Sequence, residues 1–61
     1  MIDYARPTMM AENALKDLHK AMLNRRYEEA LEAGFLAIAE AKMAIHAIRH
    51  TIEEEAKNDA R

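Results

Sequence analysis

His46 and His50 are four residues apart, the separation at which two imidazoles on one helix face can share a metal ion. In zinc proteases the residue after the first His is a Glu that acts as general base; here it is Ala47. A third ligand would have to come from Glu53 or Glu54. The pair therefore reads first as two surface histidines, His19 stands alone, and no metal or other cofactor is expected. Glu28, Glu29, Glu32 and Glu40 could work as an acid–base pair only inside a cleft, which a short helical chain can hardly enclose. They read as a solvated helix face. The chain has no Cys, no Ser/His/Asp arrangement and no Gly-rich phosphate loop. No catalytic residue is assigned, and the sequence points away from an enzyme.

One basic group stands out. Lys16 and Lys20 are one helical turn apart, and Arg25 and Arg26 follow closely. They could touch phosphates, which gives a second reading of the chain as a small nucleic-acid-associated regulator. The simpler expectation is that they pair with Glu28, Glu29 or Glu32, or with an acidic partner. The formal net charge is −2; residues 1–27 carry +2 and residues 28–61 carry −4. A dedicated nucleic-acid binder usually shows a clear basic excess, so this balance argues against one. The uneven split instead favours one half folding back on the other.

The elements that would position these groups are helices. Of 61 residues, 13 are Ala, one is Gly and one is Pro, while Val is absent. Ala, Leu, Met, Glu, Lys and Arg are strong helix formers. The absence of Cys suggests a reducing compartment. With no apolar run of membrane-spanning length and no signal-like start, a cytoplasmic, non-membrane protein is expected. Residues 1–8 read as an extended lead-in, with Pro7 holding Arg6 out of the helical region and Thr8 as the cap. Helix 1 is predicted over about 9–23. A turn at 24–26 follows, where Asn24 is suited to a left-handed helix end and Glu28 and Glu29 open the next helix. Helix 2 is predicted over about 27–57, and residues 58–61 form a frayed tail. The competing arrangement is one continuous helix of about 50 residues, which Glu29 interrupts.

The fold class is thus all-α, an antiparallel two-helix hairpin. On helix 1, Ala11, Ala14, Leu15, Leu18, Ala21 and Met22 share one face. On helix 2, Leu31, Ile38, Ile45 and Ile52 recur every seven residues, with Gly34, Ala41 and Ile48 between them and Ala30, Ala37 and Ala44 alongside. This is coiled-coil-like spacing. Leu15, Leu18, Met22, Tyr27, Leu31, Gly34 and Ile38 are expected to form the hairpin core, with Gly34 at a close crossing. Helix 1 is too short to cover all of helix 2. That leaves Ile45, Ile48 and Ile52 without a partner, while Phe35, Leu36 and Met43 make a second apolar surface off the seam. Phe35, Met43, Ile45, Ile48 and Ile52 are therefore expected to form the interface of a homodimer, a four-helix assembly. The alternative is that Ile2, Tyr4, Met9 and Met10 cover the overhang within one chain. Met9, Met10, Lys16, Lys20, Arg25 and Arg26 are the candidate contacts for a further, unidentified protein partner.

The stretch Arg26-Tyr27-Glu28-Glu29-Ala30-Leu31-Glu32 resembles the start of the second helix in tetratricopeptide-like hairpin repeats, where Tyr and Ala pack the turn. Helix 1 departs from that pattern at Asp17, where a repeat wants an apolar residue. Across its whole length, from Met1-Ile2-Asp3-Tyr4-Ala5-Arg6-Pro7 to Ala47-Ile48-Arg49-His50, the chain is similar to the small early open-reading-frame proteins of lambdoid bacteriophages. That resemblance rests on length, lack of Cys and overall texture. It implies a protein made early in infection or induction, in the host cytoplasm, that binds a host or phage factor and shifts host physiology.

Overall fold

The computed structural model describes residues 3–59 of the chain. Two helices fill them, α1 over Ala5–Leu23 and α2 over Tyr27–Asp59. The tail expected from residue 58 therefore lies partly within α2 and partly outside the described residues. α1 begins four residues earlier than its sequence pattern predicts, for a local reason. The Asp3 carboxylate accepts a hydrogen bond from the Ala5 N–H at 2.9 Å, satisfying one of the free donors at the helix start. Pro7 then falls in the first turn, where its missing N–H leaves no bond unmade. Thr8 is not a cap. Its hydroxyl donates back to the Tyr4 carbonyl at 2.8 Å.

The turn at 24–26 is made without glycine. The Arg26 N–H reaches the Ala21 carbonyl at 2.8 Å and the Arg25 N–H reaches the Met22 carbonyl at 3.1 Å, the pair of bonds that defines a Schellman end. The Asn24 side chain adds a bond from Nδ2 to the Lys20 carbonyl at 3.0 Å. The left-handed position is Arg25, at φ 58°, rather than Asn24, whose amide is engaged with α1. A side chain at that φ is strained by about 1 kcal/mol. Arg25→Gly is therefore expected to stabilise the hairpin by about 0.5–1 kcal/mol and raise its melting temperature by several degrees, as read by circular dichroism.

So short a link holds the two helices close, and this decides which residues meet. The buried positions are Pro7, Ala14 and Ala21 on α1 and Ala30, Ala37 and Ala47 on α2. On α1 they are seven residues apart. On α2, Ala30 and Ala37 fall in one column with the half-buried Ala44 and Thr51. The hairpin seam is a ladder of small side chains, which lets backbones pack nearer than the usual 8–10 Å of large-residue helix pairs. This corrects the expected core. Leu15, Met22, Tyr27, Leu31 and Ile38 are all exposed, because each sits one step round its helix from the alanine ladder. Only Leu18 and Gly34 of that set are half-buried. They touch: Leu18 Cδ1 lies 3.4 Å from where a β-carbon on Gly34 would stand.

That contact fixes an antiparallel register in which Ala21, Ala14 and Pro7 lie level with Ala30, Ala37 and Ala44. The early start of α1 extends its cover along α2, and Tyr4 comes level with the fully buried Ala47 (0% exposed). Beyond it α2 runs on for about three turns past the start of α1. The molecule is a rod of 56 × 13 × 11 Å between Cα extremes. Among the described residues, no helix is long and apolar enough to cross a membrane.

Candidate docking face

With α1 on the alanine ladder, the strongest apolar pattern in the chain is left without a partner among the described residues. Leu31, Ile38, Ile45 and Ile52 form one column of α2, and Gly34, Ala41 and Ile48 the column between it and the ladder. On α1 the matching columns are Thr8, Leu15, Met22 and Ala11, Leu18. The Leu18–Gly34 contact joins the two sets side by side, so both helices present them on the same side of the hairpin. On this face seven large side chains, Leu15, Met22, Leu31, Ile38, Ile45, Ile48 and Ile52, are 48–62% exposed. From residue 8 to 22 on α1 and from 27 to 52 on α2 these columns carry no charge. Soluble monomers rarely leave so continuous an apolar strip in water.

The other side of the hairpin mixes charged and apolar side chains, with Met10, Leu36 and Met43 exposed on it. Asp17, Lys20, Asn24, Arg26 and Glu29 line one open depression near the turn. Arg6, Met10, Glu40 and Met43 surround another near the start of α1. This divides the residues expected at a dimer interface. Ile45, Ile48 and Ile52 belong to the apolar face, and Phe35 flanks it on the side away from α1, 63% exposed. Met43 points to the opposite side, beside Met10. Of the lead-in residues expected over the overhang, Tyr4 comes level with Ala47 and is itself exposed, as are Met9 and Met10; Ile2 lies outside the described residues.

Three of the four basic residues meet around the turn, interleaved with acids. Lys20 and Arg26 share their depression with Asp17 and Glu29; Arg25 sits at the tip beside Glu28 and Glu29. Arg26 Nη1 is 3.6 Å from Glu29 Oε2, an exposed pair on consecutive turns that contributes little. Acids interleaved this closely cancel much of the attraction a phosphate would feel. His50 Nε2 is 3.5 Å from Glu54 Oε1. Among the described residues, no group of three or more His, Asp or Glu side chains is placed to hold a metal ion.

Sequence reasoning passed over the alanine ladder and the Asp3 bond. The ladder had a visible signal, the repeat Ala30, Ala37, Ala44 with Pro7, Ala14, Ala21 opposite, but small residues at heptad spacing look like the flank of the stronger Ile column.

Fold and surface together define the class: an all-α antiparallel hairpin, closed by small residues, that carries a long aliphatic seam on one face. No family model, curated protein or solved structure matches the chain.

Proposed function

We propose that this protein is a non-catalytic protein–protein interaction module whose aliphatic face docks α-helices. The observation that carries the reading is the uncharged strip from Leu31 to Ile52, seven-residue spacing intact, with every large side chain about half in water. Burying the exposed half of seven such side chains contributes roughly 1 kcal/mol each, about the whole net stability of a small domain. An alanine-only seam supplies far less, so the fold and the docking event support one another. A helix suits the face because two parallel columns of large residues with small ones between them form ridges and holes for a third helix. In the cell the role we propose is that of a regulator or adaptor acting on a host or phage factor, of the kind the likeness to lambdoid early proteins implies.

The test is a capture comparison. The chain is immobilised through its N terminus and offered bacterial lysate supplemented with free wild-type chain. Bound protein is expected to be lost with Ile38→Asp and kept with Glu32→Ala, at an exposed position off the face and its flank. Undiminished capture by Ile38→Asp would overturn the reading.

A further inference from the structure

The pattern of the docking face says what occupies it. Read from either end, the columns of α2 are nearly the same: Leu31, Gly34, Ile38, Ala41 in one direction, and Ile52, Ile48, Ile45, Ala41 in the other. We propose that the face is covered by a second copy of this chain, with α2 antiparallel to α2 and the two-fold axis passing beside Ala41. This rests on the docking reading above and names its first partner.

Three observations favour that arrangement. Size complements size. Gly34, the one residue without a side chain, falls opposite Ile48 of the other copy, Ile38 falls opposite Ile45, and Leu31 opposite Ile52. Ala41 meets itself at the axis, where two backbones come closest. Phe35 comes level with Arg49 of the other copy on the same flank, which gives the exposed ring a cation to stack against. Lys42 alone meets its own like, and its long stem carries the charge clear.

The lengths agree as well. α2 outruns α1 by about three turns, and an antiparallel α2 pair covers that overhang with the turn-proximal half of the partner helix. The other two-fold arrangement, with its axis along the helices, would lay α1 of each copy on α2 of the other. Ile52 would then lie beyond the start of α1, and the runs Glu53-Glu54-Glu55 of both copies would gather at one end. The antiparallel pair holds those runs at opposite ends, each near the partner's turn, where Arg25 and Arg26 offset Glu28 and Glu29.

The area is also sufficient. Seven side chains showing on the order of 100 Å² each give about 700 Å² per copy, or about 1,400 Å² for the pair, within the range of stable specific interfaces.

The chain has no Cys, so single cysteines report the register directly. Ala41→Cys, mildly oxidised, is expected to link to itself in high yield, because disulfides need Cα atoms within about 7 Å. Ile52→Cys, about 33 Å from its own copy in this register, should give at least about tenfold less linked dimer. An equimolar mixture of Leu31→Cys and Ile52→Cys should form the mixed disulfide. Sedimentation equilibrium of the wild type should give twice the 7.0 kDa chain mass. Self-linking of Ile52→Cys, or a dimer in which Ala41→Cys fails to link, overturns the register and leaves helix docking standing. A 7.0 kDa species with no cross-link overturns the second copy as occupant, and the capture comparison then decides separately whether another helix takes its place.

Discussion

Ile45→Asp is expected to remove the cooperative helical melt of this protein at micromolar concentration. Ile45 lies mid-way along the aliphatic face, 49% exposed in the hairpin and covered in the proposed pair. Replacing it forfeits about 1 kcal/mol of remaining burial and places a carboxylate among Ile and Leu side chains that offer no hydrogen bond. Such a group resists burial by several kcal/mol, and a two-fold interface contains it twice. The sum exceeds what a chain of this size can lose. Circular dichroism should show a shallow, non-cooperative loss of helix, with the sedimenting mass halved. Glu32→Ala, exposed and off the face, should stay within about 0.5 kcal/mol of wild type. The wild-type melt should also move with concentration, by about 5 °C per tenfold, because the proposed covering of the face is bimolecular. A concentration-independent melt, matched by Ile45→Asp, would mean that the hairpin stands alone and the face has no structural role.

Much of this architecture is legible from residue order alone. Low Gly and Pro with abundant Ala fix an all-helical chain. Asn24, Arg25 and Arg26, followed by Glu28 and Glu29, mark the turn that the structure makes. The Leu31, Ile38, Ile45, Ile52 column is a seam in both readings. What the spacing does not say is whose seam it is. Periodicity identifies a face of a helix, and neighbouring faces of α2 both repeat every seven residues, one with Ile and one with Ala. The choice between them is made by the three-residue link, whose Schellman geometry brings α2 back against α1 too closely for Leu and Ile to interdigitate. Met43, expected off the Ile column, lies on the far side of α2, beside Met10. The start of α1 misleads differently. Asp3 and Thr8 are both competent caps, and Pro7 is compatible with either, since a proline is free anywhere in the first turn. The carboxylate of Asp3, two residues before Ala5, wins, and Thr8 turns its hydroxyl back into the helix.

The alanine ladder can be tested on its own terms, through Ala37→Leu. Ala37 is buried at the level of Ala14, within the alanine ladder. Three added carbons have nowhere to go. α1 cannot slide away, because the link at 24–26 is held by the Ala21, Met22 and Lys20 carbonyls. Overpacking of a close seam typically costs about 1–3 kcal/mol, which in a hairpin this small lowers the melting temperature by roughly 5–20 °C. Were Leu31 and Ile38 the intramolecular core instead, residue 37 would be a flanking position, and leucine there would be neutral or mildly stabilising. Ala39→Leu, on the exposed back of α2, is the matched control and should leave the melt within about 0.5 kcal/mol of wild type. Equal melts for the two variants would show that the helices do not meet along the alanines. A drop confined to Ala37→Leu assigns the small residues to closing the hairpin, and by elimination leaves the aliphatic column free to bind a helix from outside the chain.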